Sequence, residues 1–421
     1  MELTNWAGNH RYLATVLHRP ETLDQLRRLA SEARSLRALG TRHTFNAIGD
    51  SDELVALDRL AGAEEIVLDR SALTVTVGPA VTYAQLADAL EAGGLALANM
   101  ASLPHISVAG AVATATHGSG DALGNLSTSV RAMRLVTSAG ELLDFAAGDP
   151  RLAGAVVHLG ALGIVTRVTL AVEPSYTLSQ RVYLDMEWDQ LAGHLDAITS
   201  AGRSVSVFHR FGERVREVWV KGAAAGSGPS SLFGALAAAE PRNPVPGADP
   251  AFSTAQLGEP GPWCDRLPHF RAAFTPSAGE EIQSEWFVAR ADGIAAITAL
   301  RDELGPRIGP LLYVSEMRTI AADELWLSPH YRRDSIGLHF TWQREPEAVR
   351  AICMEVERVL EPFAPRPHWG KAFASGAAGL AGLYPRMADF LALRSELDPR
   401  GAFINTWLTE KLLGDAADPS V

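Results

Sequence analysis

Near the start of the chain, Gly40-Thr41-Arg42-His43-Thr44 combines a loop-forming glycine, two hydroxyls and an imidazole. The five residues follow a short strand-like run, Ser35 to Leu39, so they read as a loop that leaves a strand and turns successive backbone N–H groups outward. Such a nest suits a pyrophosphate. The histidine inside it could be a nucleophile, a ligand, a covalent anchor or a structural residue, and spacing alone leaves these readings open. A second stretch, from Ala92 to Gly120, contains no Asp, Glu, Lys or Arg. Its Gly110, Ala113, Gly118 and Gly120 would let backbone touch a planar ligand, and hydroxyls such as those of Ser102, Ser107 and Thr114 could reach phosphate or ring edges. The same composition also suits a buried packing segment.

Chemistry of another kind lies in the second half. Glu316 and Arg318 are two residues apart, which on a strand puts both side chains on one face; His339 and Thr341 repeat the spacing. Two such strands could present a carboxylate, a guanidinium, an imidazole and a hydroxyl to one ligand, or form a solvated face with an ordinary salt bridge. Lys371 follows His368-Trp369-Gly370, an unusual setting for a solvated lysine, though a surface charge is the other reading. The chain has no Gly-Lys-Ser/Thr phosphate loop, no strict Gly-x-Gly-x-x-Gly after a strand, no His-Glu-x-x-His and no Gly-x-Ser-x-Gly. Its two cysteines, Cys264 and Cys353, are far apart, so neither a disulfide scaffold nor a metal site is expected.

These residues need elements to hold them. Thr22-Leu23-Asp24-Gln25 and Thr82-Tyr83-Ala84-Gln85 read as capping boxes opening two helices, the second ending at Gly93-Gly94. Strands are expected at Leu54 to Leu57, Glu65 to Asp69, Leu73 to Val77, Val130 to Thr137, Glu141 to Phe145 and Ile164 to Val172. Pro174 marks a boundary. Beyond it, strands at Ser204 to Phe208, Val218 to Lys221, Gln283 to Val288, Leu311 to Arg318 and Gly337 to Trp342 alternate with helices near Ala291 to Leu304 and Glu347 to Leu360. That pattern predicts a second α+β domain on a mostly antiparallel sheet. The Ala/Gly/Ser/Pro-rich stretch from Gly222 to Pro250 reads as a surface excursion.

With 37 Lys and Arg against 49 Asp and Glu, the formal charge of −12 argues against nucleic acid as a partner. The uncharged Ala92 to Gly120 stretch is long enough to test as a membrane span, but Asn99, Pro104, His105, His117 and its glycines would be costly in lipid. No basic region followed by an apolar run opens the chain, so a cytoplasmic, membrane-free protein is expected.

Together, Gly40 to Asn46 and Ser102 to Gly118 closely resemble the flavin-binding domain of the vanillyl-alcohol oxidase superfamily, and Leu159 to Val165 looks like its third FAD contact. Glu316-Met317-Arg318-Thr319, His339-Phe340-Thr341-Trp342 and Arg366-Pro367-His368-Trp369-Gly370-Lys371 narrow the resemblance to the alditol oxidases, the xylitol and sorbitol oxidases. It runs from Asn5-Trp6 to the Asp398-Pro399 to Asn405 tail. The resemblance implies an α+β, two-domain fold: an FAD-binding domain over residues 1–175, a substrate (cap) domain over 176–365 with a mostly antiparallel sheet and flanking helices, and a segment 366–421 returning to the active site. It also implies a monomer that oxidises the C1 hydroxyl of an alditol to the aldose, with hydride passing to flavin N5 and dioxygen reduced to hydrogen peroxide. A sugar-1,4-lactone oxidase or dehydrogenase of the same superfamily is the alternative.

Residue by residue, the resemblance implies that His43 bonds covalently to the 8α-methyl of FAD, within a cofactor loop of Gly40, Thr41, Arg42 and Thr44. Ser107, Gly110, Thr114, His117 and Gly118 would line the isoalloxazine and pyrophosphate, Ile164 and Val165 the distal part of FAD, and His368 the far side of the flavin. Ser102 would stand at both flavin and substrate. Glu316, Arg318, His339, Thr341 and Lys371 would bind the polyol, with Arg318 and Lys371 stabilising the alkoxide that develops as hydride leaves. Relatives commonly carry Gly-x-Gly-His-Ser in the anchor loop, whereas this chain has Arg42 and Thr44; if that position needs φ > 0, Arg42 is mildly strained. Ala111 and Ala115 likewise stand where relatives often have Ser and Gly.

Overall fold

The protein is described by a computed structural model over residues 3–223, 228–273 and 281–414. Both capping boxes form: the Thr22 and Thr82 hydroxyls accept from the N–H of Gln25 and Gln85, whose side chains reach back, and the helices Leu23–Glu32 and Tyr83–Ala92 follow. Around them lie a parallel three-stranded sheet, ordered Val16–His18, Glu53–Val55, Leu36–Ala38, and an antiparallel five-stranded sheet. The five strands run in the order Ile66–Asp69, Thr74–Val77, Ile164–Ala171, Val130–Val136, Leu142–Ala146. The uncharged stretch is no span. It folds into the short strand Leu95–Ala96, the six-residue helix Val108–Ala113 and connecting loops, and among the described residues no helix is long and apolar enough to cross a membrane.

The rest of the chain builds a ten-stranded sheet whose centre is antiparallel: Thr177–Met186, Val215–Ala223, Ser204–His209, Leu312–Ile320, Ser335–Gln343, Glu281–Ala289 and, at the edge, Arg366–Pro367. Side chains alternate across it. Met317, Leu338, Phe340, Trp342 and Trp286 face the helices Gly293–Ile308 and Pro346–Leu360 in one apolar core, while Glu316, Arg318, His339 and Glu285 face the first sheet system. The strand Thr177–Met186 and the helix Trp188–Thr199 have no counterpart in the sequence expectations. Period-2 alternation breaks down in Thr177–Met186 because it is covered on both faces.

From Arg366–Pro367 the chain returns to the first lobe, where Leu380, Tyr384, Phe390, Leu393, Trp407 and Leu408 share a core with Val75, Leu86, Val112 and Val168. The division at residues 175 and 365 is retained as a proposal. The Gly222 to Pro250 stretch departs from expectation. Residues 224–227 lie outside the described residues, but Ser231–Leu232 and Ala235–Ala237 extend the large sheet, and Asn243, Pro244, Val245 and Ala248 reach the central cavity. It is a wall of the site as well as surface.

Candidate active site

Between the five-stranded and ten-stranded sheets lies a cavity of about 850 Å³. One end is walled by Gly40, Thr41, Arg42, His43 and Thr44 with Ser107, Gly110, Thr114, His117 and Val165. Shape governs this end. A Cβ added to Gly40 or Gly110 would come within 2.9 or 2.8 Å of Ser107 Oγ, so glycine at both positions leaves that hydroxyl its place. The strain expected at Arg42 is present: its φ is +63°, and its Nη1 donates to the Thr4 carbonyl at 2.9 Å. Ala115 also sits at positive φ, +54°.

Two residues expected at this end lie elsewhere. On the strand Ile164–Ala171, Val165 faces the cavity, so Ile164 points the other way and packs with Leu26, Val136 and Phe403. Gly118 is also off the wall. It allows backbone crossing, since a Cβ there would meet Asn99 Oδ1 at 2.2 Å and the Met100 carbonyl at 2.4 Å.

The other end is built by register. Glu316 pairs with His339, which pairs with Glu285, so three polar side chains form a row across three strands on one face. One step along, Arg318 pairs with Gly337, and the missing side chain opens the way for Glu285; a Cβ on Gly337 would lie 2.9 Å from Glu285 Oε1. Arg318 Nη2 donates to that oxygen at 3.2 Å and its Nη1 to Ser102 Oγ at 3.3 Å. Thr341 and Gln283, paired with each other, line the cavity on the opposite side of the row. His339 Nε2 lies 3.2 Å from Gln283 Oε1, while its Nδ1 is buried without a partner. The sequence-predicted polyol residues thus converge as one face.

Lys371 enters from the loop after Arg366–Pro367 and donates from Nζ to Glu285 Oε2 at 2.7 Å. Asn46 fixes that loop, donating to the carbonyls of Trp369 and Lys371 at 2.8 and 2.7 Å, and the Phe45 N–H donates to the Gly370 carbonyl at 2.8 Å. The His43 loop and the Lys371 loop are therefore one rigid assembly. His368 lines the cavity, with Nδ1 accepting from the Gly370 N–H at 3.0 Å.

Glu285, fully buried, is the residue that sequence reasoning missed. It touches Lys371, Arg318 and His117, whose Nε2 is 3.2 Å from Oε1. The available signal was the alternation of Glu281, Gln283 and Glu285 with Ile282, Ser284 and Trp286 on the strand beside His339 and Thr341. Burial alone would raise the Glu285 carboxyl, but Lys371 and Arg318 outweigh it and hold it well below the usual carboxylate range. Burial works against Glu316 too, and Arg318 and His269 likewise keep it ionised. Burial lowers Lys371, opposed by Glu285. His117, Glu285 and His368 bring ligand atoms within 4.8 Å of one another, but the carboxylate oxygens already serve Lys371 and Arg318, which fill the role a metal cation would take there.

The first end fits a flavin dinucleotide on its own geometry. His43 is half-buried and lines the cavity, and burial pulls it down to about 4, so it is a neutral imidazole there. Its ring stacks on Trp6 at 5.2 Å. Glycine-lined backbone and the hydroxyls of Thr41, Ser107 and Thr114 match the donors that a pyrophosphate requires, with the neutral His43 ring on the same wall.

Comparison with known proteins agrees with this layout. The family described as "FAD binding domain" matches residues 14–146, and "D-arabinono-1,4-lactone oxidase" matches residues 278–411. An alditol oxidase of a Streptomyces species is 45% identical over 417 residues, covering 98% of this chain and 99% of the relative. An L-gulono-1,4-lactone dehydrogenase of Mycobacterium tuberculosis is 29% identical, covering 98% and 99%. The crystal structure of cholesterol oxidase from B. sterolicum superposes with a TM-score of 0.79 at 18% identity, covering 98% of this chain and 96% of that one, a likeness of fold. The fold is of the vanillyl-alcohol-oxidase type, with FAD as its cofactor, and the chain belongs to the alditol oxidase family of FAD-dependent oxidoreductases.

Proposed function

We propose that the protein oxidises the terminal hydroxyl of alditols such as xylitol and sorbitol to the aldose, reducing dioxygen to hydrogen peroxide. The observation that carries this reading is the cavity wall of Glu316, His339, Arg318 and Lys371, with Glu285 buried behind it in the same cross-strand row. A polyol is a chain of hydroxyls, each both donor and acceptor, and this wall alternates acceptors with donors. The ionised Glu316 accepts. The His339 ring, neutral through burial, is engaged at Nε2 by Gln283, whose side chain also lines the cavity.

Bound FAD supplies the two-electron acceptor and returns the electrons to oxygen. The chain's own part is placement and charge. Lys371 and Arg318 put two cations near the reacting hydroxyl, stabilising it as it gains alkoxide character; Glu285 ties both cations in place from behind. Ser102, held by Arg318 and by N–H groups of His269 and Phe270 at its carbonyl, borders the two ends of the site. His43 is proposed as the covalent anchor, being a neutral imidazole on the cavity wall.

The match of residues 278–411 to a lactone oxidase family favours a second reading, oxidation of an aldonolactone. Peroxide formation from xylitol, sorbitol and a gulono-1,4-lactone under air separates the two; turnover of the lactone alone overturns the first. For the anchor, flavin colour remains with acid-precipitated protein and is lost from it in His43→Ala. Colour released by the unmodified protein contradicts the anchor.

A further inference from the structure

The chain carries three lysines among its 37 cationic residues, and the outer surface uses arginine. Lys371 serves the site above, and Lys411 is buried at the carbonyl of Ala374. Lys221 is 1% exposed, on the strand Val215–Ala223, and does not line the cavity. Its Nζ has three acceptors: the Leu267 carbonyl, the Pro268 carbonyl at 3.1 Å and His269 Nδ1 at 3.0 Å. An ammonium has three N–H donors, so this set matches it bond for bond. Burial draws Lys221 down to about 7, with Glu316 acting against it.

The ionised Glu316, which can only accept, and Lys221 together settle the tautomer of His269. With Nδ1 accepting from Lys221, the ring proton sits on Nε2, which donates to Glu316 Oε1 at 2.9 Å. Edge contacts with Phe208 and Trp219, at 5.4 and 5.6 Å between ring centres, fix the plane of the ring, and Ser206 Oγ lies 3.4 Å from Nε2. Arg318 Nε is 3.6 Å from the same carboxylate oxygen. Oε1 of Glu316 is thus committed to the protein, and Oε2 is left for a ligand.

We propose that His269, held in one tautomer between Lys221 and Glu316, is a positioning residue that turns Glu316 so that Oε2 accepts a hydroxyl of the bound polyol. This rests on the alditol reading. Because Glu316 binds hydroxyls in ground state and transition state alike, losing its orientation raises KM and leaves kcat little changed. A structural role for His269 would instead alter stability and flavin content without that split.

The test uses the full-length flavin-loaded protein with xylitol, reading peroxide release, the flavin spectrum and the unfolding midpoint. His269→Leu raises KM about tenfold or more with kcat within about threefold. His269→Gln, whose amide N–H overlays Nε2, holds KM within about threefold, whereas His269→Asn, which overlays Nδ1, resembles the leucine variant. Lys221→Met raises KM by a smaller factor because one of the two groups that set the tautomer is lost. If the leucine variant does not fold, the Gln and Asn variants carry the comparison. Equal KM values for Gln and Asn, or a fall in kcat at unchanged KM, overturn the proposal. No peroxide from xylitol with the unaltered protein is a different result and overturns the alditol reading itself.

Discussion

At the end of the cavity bounded by Gly40, Gly110 and Val165, the wall is made of glycine, small residues and hydroxyls, and what matters is where the backbone runs. At the other end, Glu285, Glu316, Arg318, Lys371 and His269 bury several charges side by side. Substitutions at the first end are therefore expected to act through volume, and those at the second through charge. An anionic dinucleotide fits an acidic protein because backbone N–H dipoles meet its phosphates, and a neutral polyol fits a charged wall because that wall is internally neutralised.

The contrast is broken most severely at Glu285. Glu285→Ala leaves Lys371 and Arg318 buried without their shared counter-charge and should cost about 3–5 kcal/mol, read from urea unfolding. Lys371→Met keeps the bulk and removes the charge, so kcat with xylitol falls about 10²- to 10³-fold with flavin content unchanged. Behind the cavity wall, Gly118→Ala alters no charge, yet its methyl meets Asn99 and the Met100 carbonyl; it should lose about 1–3 kcal/mol, read from the unfolding midpoint.

Acid sharpens the same division. Glu285 and Glu316 lie below the ordinary carboxylate value in the folded protein, so in that window the unfolded chain binds more protons than the folded one. Their contribution is complete above the ordinary range and is lost as pH falls through it. Urea midpoints compared near neutrality and at about pH 4 should therefore drop less in Glu285→Gln than in the unaltered protein. The smallest effect belongs to Arg42→Gly. Relief of the left-handed backbone opposes the added freedom of glycine in the unfolded chain and the lost bond to Thr4, leaving stability within about 1 kcal/mol.

The strands that carry Glu316, Arg318, His339 and Thr341 were legible because a spacing of two on a strand dictates a shared face, and the hydrogen-bonded register then put Glu316 opposite His339. The strain at Arg42 was legible from a side chain standing where glycine is usual. Glu285 was not singled out because its meaning depends on the vacancy at Gly337 and on a cation 86 residues away, Lys371. His269 and Lys221 escaped for the same reason: a loop and a strand meet only in the folded protein. Gly118 was placed on the wall because a small residue permits either a ligand or another backbone to come close; here the neighbour is Asn99 and Met100. Ile164 and Val165, adjacent on a strand, turn their side chains to opposite faces, as period two dictates, so only Val165 brings its side chain to the cavity.

The central claim is that the charged end acts on a polyol hydroxyl. It is tested most directly by mixing the flavin-loaded protein with xylitol in the absence of air and following the visible flavin band. The account predicts rapid bleaching by xylitol, slow bleaching in Lys371→Met, and return of the band with stoichiometric peroxide when air is admitted. A band that stays unchanged with xylitol and sorbitol yet bleaches with a gulono-1,4-lactone would contradict it.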